Sequence, residues 1–278
     1  AERGRANGLM YASKYGGGII GGAGMSWLIA VSGLRAALVL QVIVLGAIML
    51  VPLLVRERSA PAPKPPALGT VLRSLVQAFS LRSTLLCGAL MLGSNLATGM
   101  LNAIANVLFT QKLGWTDTEY ATLTGGPGLL MGLGGSVLGG FLADRVGHRR
   151  LAAIASTVLA LLWLTFALGE AWWTDRTFVY ALALVEPLCQ SVLTVSLFAL
   201  CMDVSWPRIA ATQFTAYMAL GNFSTTQGFR LAGHADGWWD YQGIYLAAAG
   251  MQIAITLILP LIDPQQTRRT LARDDQSG

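Results

Sequence analysis

Few side chains in this 278-residue chain could do chemistry, and most of those lie inside long apolar stretches. Glu186 is the most deeply set acid, nine residues in from Thr177, with Pro187 and Gln190 beside it. A carboxyl group in hydrocarbon favours its neutral form, and a proline inside a helix frees a backbone carbonyl. That combination suits a site that takes up and releases a proton, or one that binds a solute amine. It equally suits a protonated acid bonded to a neighbouring helix. Asn95, Asn102 and Asn106 follow at spacings of seven and four, which makes one helix face polar over three turns. Amides in lipid must face inward, toward a cavity. Gln213, Tyr217, Ser224 and Gln227, with Asn222 beside them, are expected to reach the same cavity from another helix. Lys14 lies within the first apolar stretch, where it either meets an anionic solute or snorkels to the headgroups.

Other chemistries find no residues. Cys87, Cys189 and Cys201 sit in apolar stretches without CxxC or CxxH spacing, so neither zinc nor a disulfide framework is indicated. The two histidines, His148 and His234, both fall near the ends of stretches, which leaves no paired-His or Ser–His set for an intramembrane enzyme. We therefore expect no enzyme, no metal and no cofactor.

The elements that must position these residues are transmembrane helices. Hydrophobic residues make up 54% of the chain and charged ones 12%, about half the charged share of a soluble domain. The apolar residues fall in blocks at roughly 7–30, 34–55, 84–108, 117–143, 151–169, 177–201, 208–231 and 241–262. Most reach the length of about 20 residues that crosses a hydrocarbon core of about 30 Å. Barrel strands would alternate polar and apolar residues. Blocks of this length in lipid must be helices, since every backbone group needs an internal partner. The expectation is an all-α membrane protein with about eight spans.

The net charge of +5 is not a nucleic-acid footprint, because the charges alternate along the chain. Connections one, three, five, seven and nine hold 14 of the 19 basic residues, including Arg3, Arg5, Arg56, Arg58, Lys64, Arg149, Arg150 and Arg273. The others hold Arg35, Lys112, Arg176 and Arg230. Basic connections stay cytoplasmic, which places both ends of the chain there, in the plasma (inner) membrane. Trp172, Trp173, Trp238, Trp239 and Tyr241 cluster on the other side, where amphipathic rings favour the interface. The longest connection, 56–83, pairs a stiff spacer, Pro61 to Pro66, with an amphipathic stretch after Gly69 that suits a helix lying on the membrane surface.

Between the fourth and fifth blocks runs Gly140-Phe141-Leu142-Ala143-Asp144-Arg145-Val146-Gly147-His148-Arg149-Arg150. Gly147 permits a left-handed turn, Asp144 can face a neighbouring helix N-terminus, and the arginines fix the turn in the cytoplasm. The run resembles the G-x-x-x-D-R-x-G-x-R-R signature of the major facilitator superfamily. That resemblance implies a fold of two six-helix halves, with the signature between helices 2 and 3 and again between helices 8 and 9. Four blocks precede the run and four follow, so it fits the second copy. The chain then carries helices 5–12, with helices 1–4 upstream. Residues 1–55 would close the N-terminal half, 56–83 would be the central linker, 84–262 the C-terminal six helices, and 263–278 a tail.

The resemblance further implies a secondary transporter working by alternating access, with a small solute and protons as partners and a monomeric full-length protein. Its helices 7 and 10 would line the cavity, and its helices 5 and 8, where glycines concentrate, would slide on each other. Gly17 with Gly21 and Gly128 with Gly132 have the spacing for close approach. Many members carry arginine where this chain has His148; with Asp144 and Asp203 it is expected to form a gate latch sensitive to cytoplasmic pH. The stretch Cys201-Met202-Asp203-Val204-Ser205-Trp206-Pro207-Arg208, followed by Ala211 to Met218, is similar to the branch of AmpG-like muropeptide permeases and acetyl-coenzyme A transporters. Alternatives to muropeptide uptake are efflux, siderophore carriage, or a non-transporting scaffold or receptor on the same fold.

Overall fold

Hydrocarbon offers the backbone no hydrogen-bond partner, so each apolar stretch closes its own ladder. The computed structural model describes residues 2–54, 68–235 and 239–271, and among these there are helices and turns but no strand. The spacer Pro61–Pro66, the basic residues Arg56, Arg58, Lys64 and Arg273, and Trp238 lie outside the described residues. Helix α1 (Arg3–Ile19) continues through a π-turn, Ile20–Gly24, into α2 (Met25–Leu54). Gly33, at φ 80°, breaks that run, a conformation open to glycine. There follow α3 (Leu68–Phe79), α4 (Arg82–Val107), α5 (Asp117–Leu123), α6 (Leu129–Val146), α7 (His148–Leu168) and α8 (Arg176–Val204). The chain closes with α9 (Ala210–Ala235), α10 (Tyr241–Ile258) and α11 (Gln266–Leu271).

Six helical segments among the described residues are long and apolar enough to cross a bilayer: Trp27–Leu54, Arg82–Lys112, Asp117–Val146, His148–Leu168, Arg176–Val204 and Tyr241–Leu261. The other two expected spans are also helical. The stretch 3–24 is made more polar by Arg3, Arg5, Asn7 and Lys14, and α9 by Gln213, Asn222 and its threonines. Amides and cations that face a cavity, a neighbouring helix or the end of the bundle rather than lipid lower the apolarity of a span without lowering its length.

Packing links the helices into an arc, α9–α4–α10–α7–α8–α6–α1, with α8 also touching α1 and α4. Its core includes Leu90, Met100, Leu159, Trp163, Leu193 and Leu200. Glycine sets the closest approaches, at positions other than the expected pairs. A Cβ on Gly4 would lie 2.6 Å from the Gly140 carbonyl oxygen, and one on Gly8 would lie 2.7 Å from that of Ser136. On the other face of α6, a Cβ on Gly135 would lie 2.4 Å from the Leu188 carbonyl oxygen. Backbone thus meets backbone on both sides of α6. Gly17 and Gly21 have no such neighbour among the described residues, and Gly128 meets only Leu123, one turn away; Gly132 instead accommodates the Tyr15 ring. The close-contact stripe begins at Gly4, ahead of the apolar block from which the first span was read, because a helix can pack tightly beyond the edge of its apolar run.

At the basic end of the bundle, Ala78 of α3, Trp206, Ile209 and Leu271 of α11 form a second small core. Helix α3 buries Ser74 and Ala78 while Leu72 and Val76 stay exposed. Within the stretch expected as a tail, α11 is pinned at its start: the Ser83 backbone N–H donates to Gln266 Oε1 at 2.8 Å, and the Asp263 N–H donates to Ser83 Oγ at 3.0 Å.

Candidate functional site

At the basic end, four helix termini meet on two carboxylates. Gly147, at φ 95°, reverses the chain between α6 and α7, leaving Asp144 on the last turn of one helix and His148 at the start of the next. Asp144 accepts from the backbone N–H groups of Gly4 at 3.0 Å and Arg5 at 3.2 Å, the free donors of α1's first turn. An anion there meets both unpaired N–H groups and the positive end of the helix dipole. Asp203, at the end of α8, takes Arg3 Nη1 at 2.8 Å, and the same nitrogen donates to the Met202 carbonyl at 2.8 Å. His148 bridges the two acids, with Nδ1 2.5 Å from Asp203 Oδ2 and Nε2 3.4 Å from Asp144 Oδ1. A neutral imidazole donates from one nitrogen only, whereas the cation donates from both. Carboxylates at both ring nitrogens therefore favour the charged ring.

The rest of the motif divides. Gly140 lies against Gly4 and Gly8. Arg149 Nη1 donates to the Ile262 carbonyl at 2.8 Å, tying α7 to the end of α10. Arg145 and Arg150 are exposed. Sequence reasoning counted Arg3 as a loop charge and gave Gly4 no part; only the fold brings α1's first turn to Asp144, some 140 residues away.

Farther into the bundle lies a cavity of about 660 Å³. Of the expected residues, Glu186 and Gln190 reach it from α8, Asn95 and Asn102 from α4, and Lys14 from α1. Trp163 Nε1 of α7 donates to Glu186 Oε1 at 2.8 Å. Pro187 has no N–H for the Ala183 carbonyl, and Ala183 is part of the wall. Gln190 Nε2 donates to Thr98 Oγ1 at 2.9 Å, while its Oε1 is buried with no partner among the described residues. The Lys14 ammonium stands 5.3 Å from the Tyr11 ring centroid.

Five expected residues, Asn106, Gln213, Tyr217, Ser224 and Gln227, are not on the cavity wall. Asn106 is exposed and outside the cavity wall. Gln213 is fully buried between α9 and α4; its Oε1 accepts from the Trp206 backbone N–H at 2.9 Å and its Nε2 donates to Tyr217 Oη at 3.2 Å. Tyr217 donates to the Thr84 carbonyl at 3.4 Å, and Ser224 to that of Leu92, so α9 packs on α4 from Gln213 to Ser224, while Gln227 is half-buried and off the cavity wall. The cavity face of α9 is Asn222, Thr225 and Thr226. Asn222 stands nine residues after Gln213, two and a half turns along and so on the opposite side. Both stripes are polar at helical spacing, which is why the sequence did not separate them.

No curated protein matches the chain. Residues 85–277, well over half its length, match the family model described as Major Facilitator Superfamily. That match spans the turn at Asp144 and every helix of the arc except α1, and the chain belongs to the major facilitator superfamily.

Proposed function

We propose that this membrane transporter couples proton entry to uptake of a medium-sized solute such as a muropeptide, by alternating access. The observation that carries the coupling is Glu186, an acid in the wall of a 660 Å³ cavity whose carboxyl is held by the Trp163 indole. An ionisable group within a membrane span is costly, and a proton pathway is a use that justifies it. The muropeptide reading rests on the likeness of residues 201–218 to AmpG-like permeases. With the basic connections in the cytoplasm, the cluster at Asp144 is the inner gate. The test is uptake of labelled anhydro-muropeptide by proteoliposomes of the full-length protein under an imposed proton gradient. Uptake should rise with the gradient and collapse with a protonophore. Uptake indifferent to both refutes the coupling, and no uptake refutes the substrate.

In the same reading, Asp144, His148 and Asp203 latch the inner gate. The cationic ring pairs with both acids, so an acidic cytoplasm holds the latch shut; loss of the proton removes one charge and one donor. Arg3 and Arg5, on the same acids, stay charged throughout. Transport by the wild type should therefore quicken as internal pH rises between about 5 and 8. His148→Arg, charged at every such pH, should give a slow, flat profile. Matching profiles for the two proteins would remove the latch.

A further inference from the structure

The cavity carries one cation, Lys14, and one acid, Glu186, among its described lining residues; the rest are amides, hydroxyls, aromatic rings and small or apolar groups. The two charges stand at different depths. Helices α1 and α8 run antiparallel from the Arg3–Asp203 pair, closed at 2.8 Å. Lys14 is 11 residues along α1 from Arg3, and Glu186 is 17 residues back along α8 from Asp203. The difference of six residues places Glu186 about 9 Å farther from the basic end at about 1.5 Å per residue. Glu186 already has the Trp163 donor. Among the described residues no carboxylate pairs with Lys14, whose ammonium rests over the Tyr11 ring. Lys14 also lines an adjoining lobe of about 340 Å³ with Met10, Met91, Phe198 and Met218, into which Asn95 and Asn222 reach as well. Lys14 is exposed toward the shared space of the cavity and this lobe, faces neutral amides there, and has no carboxylate counter-ion among the described residues.

We infer that Lys14 is the anchor for an anionic group on the solute, whose amide- or hydroxyl-bearing body lies along Asn95, Asn102, Gln190 and Asn222. Three features fit such a body. The amide of Asn95 spends one N–H on the Met91 carbonyl, at 2.7 Å, which leaves its oxygen to accept. Gln190 Oε1 is a buried acceptor without a partner among the described residues. The cavity is also of the size that encloses a small-molecule ligand. This rests on the transport reading of the cavity, and not on its proton coupling.

The test is equilibrium binding to the full-length protein in nanodiscs. The probes are N-acetylmuramic acid and N-acetylglucosamine, which share ring and acetamide and differ by a carboxylate-bearing ether. The wild type should bind the acid about 10- to 100-fold more tightly, as expected for a hydrogen bond to a charged group. Lys14→Gln should erase that preference and Lys14→Arg should keep it. Equal affinities in the wild type, no binding of either probe, or an undiminished preference in Lys14→Gln would each overturn the inference. Nanodiscs of phosphatidylglycerol and of phosphatidylcholine separate a solute from a lipid phosphate. If Lys14 serves headgroups, its removal alters the melting temperature in phosphatidylglycerol alone and leaves probe preference intact, which also overturns the inference. A protein that discriminates the probes without gradient-driven uptake retains this inference and loses the proton coupling.

Discussion

Glu186→Gln should abolish concentrative uptake and spare exchange. Glutamine keeps the shape of the side chain, and its carbonyl can still accept from Trp163 Nε1, so the wall of the cavity is preserved. What disappears is the group proposed to take and give back a proton. One pH unit across the membrane is worth about 1.4 kcal/mol, or about tenfold accumulation per proton. Wild-type proteoliposomes under that gradient should therefore approach tenfold accumulation, while the variant stays at unity. Counterflow of labelled against unlabelled solute needs no net proton movement and should continue at a comparable rate. Undiminished accumulation by Glu186→Gln would remove Glu186 from the coupling path. Loss of both uptake and counterflow would instead mark it as part of the solute site.

The next largest effect belongs to a residue without a side chain. At the crossing of α4 and α9, a Cβ on Gly99 would lie 2.4 Å from the Thr225 carbonyl oxygen. One on Gly228 would lie 2.4 Å from that of Leu96 and 2.9 Å from Gly99 Cα. Every one of these neighbours is backbone, so no rotamer can yield and the helices must part. Parting them strips the Ser224 and Tyr217 bonds that join α9 to α4 and displaces Asn222 and Thr225 from the cavity wall. Overpacking of this kind costs about 3 kcal/mol, which for a chain of this size lowers the melting midpoint by about 6–12 °C. Gly99→Leu should show that drop by thermal unfolding in detergent. Gly16→Leu is the control, since a Cβ there would have no atom within 4 Å among the described residues. Equal midpoints for the two variants would mean that the α4–α9 crossing is looser than described.

The features legible in the sequence are those that one stretch of chain settles alone. Length and apolarity identify α4, α7, α8 and α10 because a bilayer imposes both, and Asp144 with Gly147 identifies a turn whose chemistry is local. Contacts between distant stretches were not legible. Asp144 needed an N-terminus to face, and no pattern in the sequence singles out that of α1. On α9, Gln213 and Asn222 are both amides at helical spacing, and only the position of α4 decides which is buried against a neighbour and which faces the cavity. The glycines misled for a related reason. Gly17 and Gly21 have the spacing for close approach, but spacing does not supply a partner, whereas Gly4 and Gly8 have one in α6. Helix α11 had too few apolar residues to be noticed, and it depends on Trp206 and α3 for its place.

The break at Gly33 has a mechanical consequence. Beyond it, α2 continues to Leu54 with Leu38, Ile43, Ile48 and Met49 all exposed, and it makes almost no packing contact with the other described helices. The 21 residues from Leu34 to Leu54 span about 31 Å at about 1.5 Å per residue, close to the thickness of an average hydrocarbon core. A thinner bilayer is met by tilting, at a fraction of a kcal/mol per Å of mismatch. With the ladder interrupted at Gly33, that tilt is absorbed at the joint and is not transmitted as torque to α1, whose first turn is bound to Asp144.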